Sequence, residues 1–182
     1  EQHIAFSRHF GPLESHVVGD FNLPGHPEIF VVSNVKEDGK LKGAVYAGQY
    51  WHSDLSYMPK PSLGSLLLCR EMPEIGGDTM WANMYLAYET LSDVMQRFLG
   101  GLKAIHDYGH VYDTYFAKLK ERPPLTPGQR AKTPAVEHPL VRTHPVTGRK
   151  ALYVNPGFTT GIVGMPEEES RQVLDFLFRH AT

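Results

Sequence analysis

The sequence predicts a mainly β domain in which a few helices cover a β-sandwich or jelly roll. Three observations support this prediction. Short β-branched or apolar runs recur between turn signals, helical periodicity is confined to a few segments, and the strand–helix–strand rhythm of a parallel sheet is missing. The chain has 182 residues, and we expect residues 1–182 to form a single domain that is incomplete at both ends.

The first half of the chain contains one predicted helix and several predicted strands. The helix runs from Glu1 to Phe10, where Gly11-Pro12 ends it. The predicted strands are Ile29–Ser33, Trp51–Tyr57, Ser62–Arg70 and Asp78–Asn83. Ser62–Arg70 is strongly apolar, so we expect it to be buried together with Cys69.

The second half contains a long helix, a hairpin and a final helix. Tyr85–Leu99 has helical periodicity, and its expected buried face is Ala87, Leu91, Val94, Met95 and Phe98. Glu137–Thr143 and Lys150–Asn155 flank a turn and predict a hairpin. Pro166 begins the last helix. Its expected buried stripe is Val173, Leu174, Leu177 and Phe178.

Composition excludes several classes of partner. The formal net charge is −2, which gives no basic field for nucleic acid or an anionic membrane surface. No apolar run approaches the roughly 20 residues of a membrane span. The single cysteine, Cys69, allows neither an intrachain disulfide nor a thiolate zinc site. We therefore expect a cytoplasmic protein with a small-molecule substrate, without nucleic acid or membrane partners.

His52 and Asp54 are candidate metal ligands. Residues two apart in a strand project from the same face, so this imidazole and this carboxylate could reach one ion. With one more histidine they would form the facial triad of non-haem iron(II) oxygenases. The spacing alone fits equally well a histidine that hydrogen-bonds a neighbouring carboxylate. His26-Pro27-Glu28 repeats the spacing in a segment that we interpret as a surface loop.

Several motifs, in order along the chain, resemble the taurine/2,4-dichlorophenoxyacetate dioxygenase family. The matching segments are Phe10–Leu13, Trp51–Asp54, Gly76–Thr79, His138–Pro145, Gly148–Asn155 and Gly157–Thr160. The later segments look like the taurine dioxygenase branch of the family. The similarity covers nearly the whole chain.

The resemblance implies a double-stranded β-helix core, the cupin-like jelly roll. It also implies an enzyme that uses iron(II), 2-oxoglutarate and dioxygen. His52 and Asp54 would bind iron, and Thr79 would contact 2-oxoglutarate. His16, Tyr153, Tyr112 and Val111 would contact the substrate. The expected reaction hydroxylates a small organic acid such as taurine, another sulfonate or an alkyl sulfate, and it gives succinate, carbon dioxide and a hydroxylated or cleaved product.

Two departures from the family pattern leave alternatives open. The family's third ligand histidine and its 2-oxoglutarate arginine have no counterpart in residues 1–182, and His138 and His144 belong to a different motif. Gly19 and Gly48 stand where the taurine branch has polar substrate contacts, so the substrate stays open. A catalytically silent β-helix domain that binds a small acid or a partner protein is one alternative, and a zinc hydrolase is another. The resemblance also leaves a homo-oligomer open.

Overall fold

The computed structural model describes residues 1–182 as short helices alternating with short antiparallel strands. The helices are α1 (Gln2–Ser7), α2 (Met84–Glu89), α3 (Asp93–Leu99), α4 (Tyr108–Asp113), α5 (Pro127–Lys132) and α6 (Glu167–Ala181). The strands are β1 (Asn22–Leu23), β2 (His26–Phe30), β3 (Lys36–Glu37), β4 (Lys40–Leu41), β5 (Lys103–His106), β6 (Val136–Pro139), β7 (Val141–Thr143), β8 (Lys150–Leu152) and β9 (Thr159–Ile162). The fold is thus a mixture of helices and small sheets. None of the helices combines the length and apolar character that crossing a membrane requires.

The N-terminal part contains the predicted helix and two small hairpins. A 3₁₀ turn, Arg8–Phe10, continues α1, so the predicted helical segment to Phe10 is confirmed. β1 pairs with β2, and β3 pairs with β4. The interpretation of His26–Glu28 as a loop is wrong, because these residues form part of β2 against β1.

The long predicted helix is two helices. α2 ends before Thr90, and α3 begins after Ser92, whose hydroxyl accepts a hydrogen bond from the backbone of Met95 (3.2 Å). This N-cap starts a new helix and turns the buried face. Val94 and Phe98 are consequently exposed, whereas Leu99 is buried and Met95 packs against the hydrophobic core, so the predicted face is wrong for Val94 and Phe98.

The main hydrophobic core lies between the helices and the sheets of the C-terminal half. β5 lies between β6 and β9 in one antiparallel sheet, and β7 and β8 form the predicted hairpin. Leu174 and Leu177 of α6 pack into this core, as the predicted stripe requires. The core comprises Ala87, Tyr88, Leu91, Leu99, Ala104, Leu140, Leu152, Val154, Ile162, Leu174 and Leu177.

A second, aromatic cluster gathers side chains that are far apart in the sequence. It consists of Tyr57, Tyr108, Val111, Tyr112, Phe116, Leu125 and Phe158. Four of these residues come from α4 and the turn that follows it, Tyr108 to Phe116, and Phe158 precedes β9. This aromatic cluster underlies the candidate site.

Three predicted strands are not formed. Trp51–Tyr57, Ser62–Arg70 and Asp78–Asn83 make no strand pairing. A β-strand is stabilised by hydrogen bonds to a neighbouring strand, and none of these three segments has a strand partner. Within Ser62–Asn83 the side chains of Ile75 and Trp81 are 92% and 84% exposed. Cys69 is exposed as well, contrary to the prediction that it is buried.

Candidate metal and substrate site

His52 and Asp54 lie at the start of a turn rather than in the predicted strand. Trp51–Ser53 has no regular secondary structure, and a turn covers residues 54–57, where Leu55 adopts a φ of 53°. The backbone N–H of Ser56 donates to the carbonyl of Ser53 (3.2 Å). The two side chains nevertheless converge, with His52 Nε2 3.1 Å from Asp54 Oδ1.

The orientation of the His52 ring leaves Nε2 available as a ligand. Nδ1 lies 2.8 Å from the carbonyl oxygen of Tyr50. A carbonyl only accepts hydrogen bonds, so Nδ1 carries a proton. Nε2 faces Asp54 and donates to it when it carries a second proton; once that proton is lost, its lone pair is directed at the same position and can bind a metal ion. The hydrogen bond to Asp54 accordingly raises the pKa of His52.

Asp54 is held by a second contact. Its Oδ2 accepts a hydrogen bond from the hydroxyl of Ser65 at 2.6 Å, so each carboxylate oxygen has one partner. The hydrogen bonds from His52 and Ser65 hold the pKa of Asp54 below its ordinary value, although burial opposes them. The carboxylate is therefore ionised and oriented at neutral pH.

Aromatic rings pack beside His52 and Asp54, which we call the donor pair. The rings of Tyr50 and Phe158 lie 5.2 Å and 6.0 Å from that of His52, centroid to centroid. Gly157 makes this approach possible, because a Cβ at that position would lie 2.6 Å from Cδ2 of Tyr50. The backbone N–H of Gly157 also donates to the carbonyl of Trp51 (3.1 Å). The segment before β9 is thus docked directly on the turn.

His16 packs against the aromatic cluster. Its Nδ1 accepts a hydrogen bond from the backbone of Val18 (3.3 Å), so Nε2 carries the proton and donates to the hydroxyl of Tyr57 (3.3 Å). Its ring packs on Phe30 and meets Tyr108 edge-on. Burial, followed by the charge of Arg122, lowers the pKa of His16 to about 4. His16 is therefore a neutral side chain at physiological pH.

Tyr112 and Val111 both lie in the aromatic cluster, but they differ in what they offer a ligand. Val111 is fully buried and serves packing in this structure. The hydroxyl of Tyr112 lies 3.4 Å from that of Tyr108, and its ring lines a cavity next to Arg122.

Tyr153 packs against two histidines, His106 and His138. Its ring stacks on His106 (5.5 Å between centroids) and meets His138 edge-on (5.6 Å). Nδ1 of His106 lies 3.1 Å from the hydroxyl of Ser56, in the same turn as Asp54, and Nε2 has no hydrogen-bond partner. Tyr153 therefore contacts the turn through His106 and Ser56.

Thr79 is not brought into contact with the donor pair. It lies exposed in the unpaired segment Ser62–Asn83. Its predicted contact with 2-oxoglutarate stays a prediction.

His52 and Asp54 are the only ligand-type side chains that the structure brings together in this way. No group of three or more His, Cys, Asp or Glu side chains has metal-binding geometry. His138 Nε2 donates to the carbonyl of Met58 (2.9 Å), and His144 Nδ1 accepts from the backbone of Val146 (3.2 Å). Both histidines are thus hydrogen-bonded to the main chain.

Several residues of the site were not predicted from the sequence. They are Tyr50, Tyr57, Ser65, Tyr108, Arg122 and Phe158. The role of Tyr108 could have been predicted from the sequence, because Tyr108 follows a strand-like run and precedes Val111 and Tyr112 in the same segment. Ser65 and Arg122 had none, since their roles depend on contacts between distant segments.

The family model of the taurine catabolism dioxygenase TauD/TfdA family matches residues 1–182, and the chain belongs to this family. It is 35% identical over 192 aligned residues to an alpha-ketoglutarate-dependent 2,4-dichlorophenoxyacetate dioxygenase from Cupriavidus pinatubonensis, covering 100% of the chain and 65% of that protein. It is 32% identical over 182 aligned residues to an alpha-ketoglutarate-dependent sulfonate dioxygenase from Saccharomyces cerevisiae, covering 95% of the chain and 41% of that protein.

The fold is similar to that of solved members. A taurine dioxygenase structure from Burkholderia xenovorans superposes with a TM-score of 0.72 and 35% identity, over 100% of the chain and 55% of that protein. The chain spans less than two thirds of the length of each of these three proteins.

Proposed function

We propose that this protein is an iron(II)- and 2-oxoglutarate-dependent dioxygenase that hydroxylates a small organic acid. The acid is taurine, another sulfonate, an alkyl sulfate or a related compound, and the products are succinate, carbon dioxide and a hydroxylated or cleaved acid. The observation that carries the proposal is the 3.1 Å approach of His52 Nε2 and Asp54 Oδ1 in a chain of the TauD/TfdA family. The names of its relatives, which include 2,4-dichlorophenoxyacetate and sulfonate dioxygenases, support this substrate class.

The donor pair fits a metal ion in geometry and in chemistry. Two ligands at about 2.1 Å from a metal and at a right angle to each other lie about 3 Å apart. His52 and Asp54 meet this condition, with an imidazole nitrogen and a carboxylate oxygen as donors. When bound there, iron(II) would supply the activation of dioxygen that no amino-acid side chain provides.

The chain's own residues prepare this site for binding. The Tyr50 carbonyl keeps the proton of His52 on Nδ1, which directs the Nε2 lone pair toward Asp54. Ser65 fixes the other oxygen of the carboxylate. The rings of Tyr50 and Phe158 pack against the His52 ring and limit its movement.

The proposal includes the remaining predicted contacts. Thr79 would bind 2-oxoglutarate, and His16, Tyr112, Val111 and Tyr153 would border the substrate. The neutral ring of His16 carries a proton on Nε2, which supports a role for His16 as a hydrogen-bond donor to the substrate.

We also propose that residues 1–182 are part of one double-stranded β-helix, the cupin-like jelly roll. The similarity to a taurine dioxygenase structure supports this architecture. So does the unpaired segment Ser62–Asn83, whose exposed apolar side chains have the composition of strands that pair with neighbours.

The test uses the full-length protein with iron(II), ascorbate and 2-oxoglutarate. Succinate formation and oxygen uptake are measured with a panel of taurine, alkyl sulfates and aryloxy acids. We expect substrate-dependent succinate formation that His52→Ala abolishes. His9→Ala is the matched control, because His9 is exposed and belongs to the N-terminal helical turn. Succinate formation that is unaffected by His52→Ala would falsify the assignment, and binding of an acid without turnover would favour the catalytically silent domain.

A further inference from the structure

Arg122 is a buried arginine enclosed by aromatic rings. It is 5% exposed and lies in the connection between α4 and α5. Its guanidinium carbon lies 4.3 Å from the ring centroid of Phe116, 5.2 Å from that of Phe21 and 5.6 Å from that of Tyr112. Aromatic faces attract a cation, but they offer no strong hydrogen-bond acceptor to its five N–H donors.

No carboxylate neutralises this buried charge. Three other arginines have acidic partners: Arg8 pairs with Glu28, Arg130 with Asp113 and Arg149 with Glu89. Arg122 takes part in none of the ion pairs, and its buried Nε has no hydrogen-bond partner. Breaking or omitting the partner of a buried charge is strongly unfavourable, so an arginine in this state is expected to have an acceptor in the functional protein.

A cavity of about 270 Å³ opens at this guanidinium. Phe21, Tyr112, Leu125 and two prolines give the cavity mostly apolar and aromatic walls. Asp20 also lines it, but the carboxylate of Asp20 accepts a hydrogen bond from Gln129 (3.1 Å) and is not within ion-pairing distance of Arg122. The lining thus combines the unpaired cation of Arg122 with apolar and aromatic side chains, and its one carboxylate, that of Asp20, is hydrogen-bonded to Gln129. An unpaired guanidinium beside an apolar wall is the composition of a site for a small organic anion.

The charge of Arg122 acts on the side of the cluster where His16 lies. It is the second-largest cause, after burial, of the lowered pKa of His16. Because His16 is neutral, it can donate a hydrogen bond but cannot balance an anionic charge. Arg122 is the nearby group that can.

We propose that Arg122, held among Phe21, Tyr112 and Phe116, binds the carboxylate or sulfonate group of a small organic anion whose apolar body lies in the adjoining cavity. The planar fork of a guanidinium matches two oxygens of such a group, which a point charge would not. The identity of the anion as the enzyme's substrate rests on the proposed function. Binding itself does not depend on it.

The test is calorimetric titration of the full-length protein with sodium benzenesulfonate, in the absence of iron and 2-oxoglutarate. We expect R122M to bind benzenesulfonate at least tenfold more weakly than the unsubstituted protein. The matched control is R149M, since Arg149 also lies over an aromatic ring, that of Tyr85, but already pairs with Glu89. Methyl phenyl sulfone, a neutral analogue, is expected to bind the unsubstituted protein and R122M alike.

Each outcome decides the proposal. Equal affinity of a folded R122M, or an equal loss in R149M, overturns it. Sodium sulfate distinguishes an organic acid from a free oxyanion: it should bind at least tenfold more weakly than benzenesulfonate, and equal affinity contradicts the assignment to an organic acid. If circular dichroism shows that R122M does not fold, R122Q removes the same charge and must show the same loss. Because the titration contains no cosubstrate, a failure to bind benzenesulfonate does not contradict the proposed oxygenase activity. Conversely, a failure to form succinate does not contradict the anion site at Arg122.

Discussion

At the scale of single residues, each member of the donor pair is fixed by one neighbour that does not itself reach the metal position. His52 is oriented by a main-chain carbonyl, that of Tyr50, and Asp54 by the hydroxyl of Ser65. Such supporting contacts set the direction and the basicity of metal ligands. Only the contact from Ser65 can be removed by a substitution, because Tyr50 acts through its main-chain carbonyl.

We predict that Ser65→Ala weakens metal binding. The substitution removes a 2.6 Å hydrogen bond to Asp54, so the carboxylate loses orientation and part of the stabilisation of its charge. The expected loss is about 10- to 100-fold in affinity, measured with Mn(II) by electron paramagnetic resonance of the full-length protein. Ser62→Ala is the control, since Ser62 donates to Glu14 from the same segment. An unchanged affinity in Ser65→Ala would show that Asp54 is oriented without this contact.

The sequence predicts the donor pair but not its supports. His52 and Asp54 stand at a spacing that a metal site requires, within a motif that extends to Thr79 and beyond. A carbonyl such as that of Tyr50 is present at every position, so no residue type signals its role. Ser65 becomes visible only when the chain path places an otherwise ordinary serine beside Asp54.

At the scale of elements, the largest differences between prediction and structure are the missing strands and the divided helix. Apolar runs predict strands correctly only where a partner is available, and Ser62–Arg70 has none in this chain. The hairpin of β7 and β8 forms because its two halves are adjacent in sequence. In the divided helix, a hydroxyl cap at Ser92 competes with continuous helical periodicity and turns the buried face of α3.

The turned face of α3 gives a second prediction. Leu99 is 0% exposed in the main core, whereas Val94 is 69% exposed, although the periodicity places Val94 on the buried face. Leu99→Ala should lower the free energy of unfolding by about 2–5 kcal/mol, because it leaves a cavity. Val94→Ala should change it by less than about 0.5 kcal/mol. Urea unfolding of both variants measures the difference, and similar losses would favour the single continuous helix.

At the scale of the whole molecule, the main hydrophobic core joins the helices to the sheets, whereas the aromatic cluster supports the candidate site. The main core joins α2, α3 and α6 to the sheets. The aromatic cluster joins Tyr57, Tyr108 and Phe158 and carries the turn with the donor pair. Periodicity predicts contacts within an element, so it reveals the stripe of α6 but gives no sign of a cluster assembled from four separate segments.

The stability of the whole molecule should fall in mild acid. Burial, followed by the charge of His138, lowers the pKa of His106 to about 4. Between an unfolded pKa of about 6.5 and this folded value, the unfolded chain binds a proton that the folded chain does not. Lowering the pH through this range should therefore cost about 1.4 kcal/mol per pH unit from His106, with no contribution above it.

Urea unfolding between about pH 7 and about pH 5 measures this dependence. His106→Gln is expected to reduce the slope of stability against pH, and the remaining slope includes His16, whose pKa is also lowered to about 4. His9→Gln, at an exposed position, is expected to leave the slope unchanged. An identical slope of stability against pH in His106→Gln and the unsubstituted protein would contradict the lowered pKa of His106 as its cause.

The exposed thiol of Cys69 has a practical consequence for following this molecule in solution. It is the chain's single cysteine and lies four residues after Ser65, in the segment without strand partners. Within residues 1–182, a nitroxide or fluorophore can therefore be attached at one defined point. The mobility of that label would report directly on whether Ser62–Asn83 becomes ordered when a metal ion or a small acid is added.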